Sequence, residues 1–141
     1  MKFRFLEDVA IADIAFEAFG KDINELFENC AIAMSDCMVN LKQINPKIKK
    51  SIKLKSEKIE DLLYDFLSEL IFIKDTDGLL FSKYKIDIKE KNGFELNAVC
   101  EGDKINYKEF DMRNDIKAVT MHMFEIRKEK NIFKATVVVD I

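Results

Sequence analysis

Between Asp13 and Phe19 the chain alternates. Ile14, Phe16 and Ala18 fall on one side, and Asp13, Ala15, Glu17 and Phe19 on the other. A period of two marks a strand, so residues 9–20 (VAIADIAFEAFG) read as a strand that stops at Gly20. The period then lengthens. Ile23, Leu26, Phe27, Cys30, Ala31, Met34, Cys37, Met38 and Leu41 form one apolar stripe, which predicts a helix over 22–41. Asp22 with Glu25 has the form of a capping box at its start. Residues 49–56 alternate Ile52 and Leu54 with lysines, as a half-buried strand does, and Ser56 is placed to cap a second helix over 57–75. Asp75-Thr76-Asp77-Gly78 reads as the turn out of that helix. Residues 82–100 read as a hairpin around Asn92-Gly93. A polar stretch, 101–114, leads to two apolar strands within 115–141 joined by a charged turn, and a further short strand is available at 2–6.

The resulting order, β-α-β-α-β-β-β-β, does not alternate strictly, and its later strands come as hairpins. That predicts an α+β fold: a mostly antiparallel sheet with two helices packed on one face. No linker, repeat or low-complexity segment divides the 141 residues, so one domain over 1–141 is expected.

Composition narrows the function classes. A net charge of −3 argues against a free-standing, tight RNA binder. No apolar run approaches the ~18 residues of a membrane span, and the N-terminus lacks the apolar region of a secretory signal. Cys30, Cys37 and Cys100 are odd in number and widely spaced, which reads as reduced core thiols and a cytoplasmic location rather than a zinc site. There is no Gly-x-Ser-x-Gly, no phosphate-cradling glycine loop and no His-x-x-x-His, so catalysis by the chain itself is not expected. Asp75–Gly78 is not a calcium loop, because the twelfth position is Ile86 where a bidentate glutamate is required.

Two acidic residues break the apolar pattern. Asp13 stands among Ala and Ile, and Asp140 follows Val137-Val138-Val139 one residue before Ile141. One reading makes Asp140 a solvated chain end and Asp13 a turn cap. The other places the first and last strands side by side, so that Asp13, Asp140 and the Ile141 carboxylate share an oxygen-rich corner. Such a corner needs neutralising by Lys117 or by a hard divalent cation. His122 is the only histidine and has no partner legible in the sequence. The lysines at 47, 49, 50, 53, 55 and 58 form a basic run that suits a solvated strand face. Contact with phosphate is the lesser reading, since no aromatics are interleaved to stack bases.

Five stretches, in order, resemble the archease family: FLEDVAIADIAFEAFG (5–20), INELFENCAIAM (23–34), LLYDFLSELIFIKDTDGLLFS (62–82), IKAVTMHMFEI (116–126) and VVVDI (137–141). The resemblance implies a small non-catalytic cofactor of tRNA splicing. Such a protein activates the GTP- and manganese-dependent tRNA-splicing RNA ligase, promoting its guanylylation and multiple turnover. The alternative it carries is a chaperone-like modulator of a tRNA methyltransferase. It further implies a divalent-cation site at Asp13, Asp140 and the Ile141 carboxylate, with calcium expected and magnesium or manganese as alternatives. Asp13, Lys117 and Asp140 match positions needed for ligase activation, and His122 matches a histidine of the family pattern. Two positions depart from that pattern: no histidine precedes Asp13 in Ile11-Ala12-Asp13, and Met121 stands where a tyrosine is common.

Overall fold

The capping box at Asp22 forms. Its side chain accepts the Glu25 N–H at 2.8 Å, and helix α1 (Ile23–Met38) begins there. The computed structural model describes residues 1–7 and 13–141. Before α1 come strands β1 (Phe3–Leu6) and β2 (Asp13–Gly20). After it come β3 (Ile48–Ser56), helix α2 (Ile59–Asp77), β4 (Leu79–Glu90), β5 (Phe94–Lys104), β6 (Ala118–Glu129) and β7 (Ile132–Asp140). Positions 9–12 of the expected first strand lie outside the described residues.

The fold is α+β and every strand pairing is antiparallel, as the hairpin pattern implies. The strands are divided, however, between two sheets rather than gathered in one: β1-β2-β7-β6 and β3-β5-β4. The physical reason is visible at the free edge of β4. Glu28 Oε1 of α1 accepts the Ile86 N–H at 3.3 Å, and Asn24 Oδ1 accepts the Ile88 N–H at 2.9 Å. Helix side chains thus satisfy edge donors that a further strand would otherwise take. α1 lies against β2 and β7 of one sheet and β4 of the other, while α2 lies against β6, β3, β4 and β5. Both apolar stripes are buried in one core, where Phe27 stacks on Phe66 at 6.2 Å.

Several boundaries move for local reasons. α1 stops at Met38 because Val39 turns extended and bridges to Met112. Ser56 does not cap α2. It is held in the β3–β5 ladder opposite Phe94, and the N-cap is Lys58, without a side-chain bond. The Asp75–Gly78 turn is instead the last turn of α2, closed by Gly78 in the left-handed region at φ 65. The central hairpin is longer than 82–100, because β5 runs on through Gly102 to Lys104. Cys30, Cys37 and Cys100 are free and buried, and burial pushes the Cys37 and Cys100 thiols up to about 12. No helix among the described residues is long and apolar enough to cross a membrane.

Candidate functional site

β2 and β7 are central neighbours in the four-stranded sheet, and their register sets Asp13 directly opposite Asp140. Residues directly opposite on antiparallel strands project to the same face, with Cα atoms about 4.5–5.5 Å apart. The two carboxylates therefore share one end of the outward face. The next row on that face is Ala15 opposite Val138, both fully buried. The acidic end thus borders an apolar floor rather than open water. Ile141 packs its side chain against the core, which fixes the chain beyond Asp140.

The remaining charges on this face are neutralised in sequence across the sheet. Arg4 meets Glu17 at 2.5 Å, Glu17 meets Lys134 at 3.3 Å, and Lys134 meets Glu129 at 3.5 Å. Arg127 then joins Glu129 at 3.5 Å and Glu125 at 3.4 Å. Burial by itself raises the Glu17 carboxyl, but the hydrogen bonds and charges of Arg4 and Lys134 outweigh it and hold the group below its ordinary range. Asp13 and Asp140 have no such partner. Among the described residues neither makes an ion pair, and residues 8–12 contain no basic side chain. The face that balances Glu17, Glu125 and Glu129 leaves two facing carboxylates unbalanced.

Lys117 is set beside this row by backbone bonding: its N–H donates to the Asp140 carbonyl at 2.8 Å. The segment leading to it is fastened to the C-terminal ends of both helices. The Asn114 and Arg113 N–H groups donate to the Cys37 and Met38 carbonyls at 3.0 and 2.8 Å, filling acceptors left open where α1 ends. Lys74, in the last turn of α2, donates through Nζ to the Ile116 carbonyl at 2.8 Å and to Asp115 Oδ1 at 2.5 Å. Its side chain is 6% exposed whereas that of Asp115 is 78% exposed. Lys74 continues the apolar stripe after Leu70 and Ile71, and that spacing is the signal in the sequence for a buried lysine here. Lys74→Met is expected to strand the Ile116 carbonyl rather than a buried charge, at a cost of about 1–3 kcal/mol. Denaturant melts check the loss. Hydrogen exchange should quicken at the Lys117 amide, and unchanged exchange there would show that Lys74 does not position this segment.

A model of the Archease protein family matches residues 3–141. The chain belongs to the archease family. Protein archease of Methanothermobacter thermautotrophicus is 40% identical over 131 residues, which span 92% of this chain and 93% of its own. That of Sulfurisphaera tokodaii is 35% identical over 140 residues and 99% of both chains. A solution structure of a Methanobacterium thermoautotrophicum protein, 41% identical, matches with a TM-score of 0.88 over 99% of this chain and 98% of its own. The crystal structure of an archease from Thermotoga maritima, described as a possible chaperone, shares the fold at a TM-score of 0.64 and 21% identity, over 98% of each chain.

In this archease the oxygen donors at Asp13 and Asp140 suit a hard divalent cation. They are two side chains, and no group of three or more His, Cys, Asp or Glu surrounds one point among the described residues. Main-chain oxygens, the Ile141 carboxylate and water would have to complete the shell. His122 is not in this row. It sits in an irregularity of β6 where residues 121–124 are inserted opposite Val137, beyond the Thr120–Val138 pair. There Met123 takes φ 55, Phe124 turns in to meet the Tyr64 ring at 5.9 Å, and Met121 and Met123 stay exposed. Register alone therefore separates His122 from Asp140 by roughly 7 Å or more along the strand.

Proposed function

We propose that this archease is a non-catalytic partner of the GTP- and manganese-dependent tRNA-splicing RNA ligase, promoting its guanylylation and repeated turnover. The observation that carries the reading is the unbalanced Asp13–Asp140 row, the one part of that sheet face whose acids lack a cation among the described residues. Asp13, Asp140 and the Ile141 carboxylate would hold calcium, or magnesium or manganese. A divalent cation there supplies positive charge against the triphosphate at the ligase's nucleotide site. Lys117, fixed beside Asp140, supplies a second positive group for a ligase carboxylate or phosphate. A second route uses the same surface: docking that favours the guanylylation-competent ligase conformation shifts its population, in proportion to the difference in affinity for the two states.

Ligation turnover is measured with purified ligase, GTP and manganese, with and without the protein. Multiple turnover is expected only in its presence. Lys117→Ala is expected to fold normally, since only the backbone of Lys117 bonds to Asp140, and to lose most of the stimulation. Equal turnover with and without the protein would refute the ligase reading. If a tRNA methyltransferase then gains solubility or selectivity, the chaperone reading takes its place.

A further inference from the structure

The sheet β3-β5-β4 turns one face to the core and the other to solvent. By register, the solvent face carries Lys49, Lys53 and Lys55 on β3 and Lys83, Lys85 and Lys89 on β4, one row on each side of β5. With Lys47 and Asp103, which meet at 3.9 Å at the end of the face, seven lysines against Asp87, Glu95, Glu101 and Asp103 leave +3 here, in a chain whose formal charge is −3. Two more of the lysines are partnered: Lys49 meets Glu101 at 3.7 Å and Lys89 meets Asp87 at 3.9 Å. Lys53, Lys55, Lys83 and Lys85 make no ion pair among the described residues. They border two depressions, one of 370 Å³ beside Lys53 and Lys55 and one of 330 Å³ beside Lys83 and Lys85. Lysines two apart on a strand lie about 7 Å apart, and the rows on β3 and β4 are separated by about 10 Å.

The chemistry of the face selects its occupant. Val99 is its one apolar outward side chain and no aromatic stands on it, so it has nothing to insert into a lipid surface. Lysine is depleted in protein interfaces, which favour aromatics and arginine. A hydrophilic partner with regularly repeated negative charge fits best, and phosphodiester backbone is that partner. Without aromatics, bases would not be stacked and sequence would not be read. We propose that this face binds the phosphodiester backbone of RNA. It shares with the ligase reading only the choice of RNA as the polyanion.

The test uses the protein alone, without ligase, and the fluorescence anisotropy of a labelled RNA hairpin across a salt series. Weak binding is expected, with Kd on the order of 10⁻⁴ to 10⁻⁶ M at physiological salt and tighter as salt is lowered. Four phosphates contacted would make the slope of log affinity against log salt about −3.6 on the duplex stem and about −2.8 on a single-stranded loop. The double variant Lys53→Glu/Lys85→Glu should bind at least about tenfold more weakly with a shallower slope, and Lys108→Glu, away from this face, should bind as wild type. Should the double variant unfold, Lys53→Gln and Lys85→Gln are measured singly, each expected to reduce the slope by about one phosphate. No binding at low salt, binding indifferent to these substitutions, or tighter binding to phosphatidylglycerol vesicles than to RNA would overturn the proposal. A negative result leaves the ligase reading standing, and loss of ligase stimulation leaves this face standing.

Discussion

Asp13→Asn and Asp140→Asn are each expected to make the cation-free protein more stable while removing its response to calcium and its stimulation of the ligase. The two effects have opposite signs because one pair of charges produces both. Two carboxylates facing each other across β2 and β7 repel. At about 5 Å and an effective dielectric of ~20 the repulsion is about 3 kcal/mol, and partial exposure of both residues brings the gain from removing it nearer to about 1 kcal/mol. Asparagine keeps the shape and removes the charge. A cation bound at a hundred times its dissociation constant stabilises the folded protein by about 2.7 kcal/mol, or roughly 5–10 °C in a chain of this size. Calorimetric melts in chelator and in calcium read both effects. An intact calcium shift in both variants would remove the cation from this corner, and unaltered stimulation of the ligase would remove the corner from function. The solvated-chain-end reading of Asp140 predicts neither a gain in stability nor a calcium shift.

Gly102→Ala is expected to be the most damaging small change in the fold, costing about 3 kcal/mol or more. Gly102 lies in β5, the central strand of its sheet, opposite Ile48 on one side and Phe81 on the other, where β4 shifts register between Phe81 and Lys83. A Cβ there would lie 1.9 Å from the Leu80 carbonyl oxygen and 2.6 Å from the Phe81 Cα. Both are backbone atoms, so a strand must move, and the Gly102 carbonyl that accepts the Lys47 N–H at 3.0 Å moves with it. Gly78→Ala is the comparison. That glycine has positive φ but open space around it, so alanine should cost only the left-handed backbone penalty of about 1 kcal/mol. Urea melts of the two variants check the ranking, and equal losses would show that the β4 irregularity yields.

The elements were legible because each has a period tied to burial. Ile14, Phe16 and Ala18 alternate on β2 as the core requires, and the stripe from Ile23 to Met38 matches the buried side of α1. Where the boundaries differ, a long-range contact decided: Val39 with Met112, and Ser56 with Phe94. The division into two sheets depended on Glu28 and Asn24 of α1 reaching the edge of β4, some 60 residues away in the chain.

For the candidate site the division is similar. Asp13 and Asp140 stood out in the sequence as charges in apolar strands, Lys117 stood out as a cation able to neutralise them, and the family resemblance added its match to a position needed for ligase activation. By itself the sequence determined which residues are acidic, basic or apolar and with what period, because those properties belong to single side chains and their near neighbours. The tertiary structure alone decided that β2 and β7 pair in the register that sets Asp13 opposite Asp140. It also decided that Lys74 holds the approach to Lys117, that His122 stays out of the row, and that two lines of lysines flank β5 on one open face. Each of these rests on which strands meet and in what register, and a one-residue slip would turn the same side chains to the other side of the sheet.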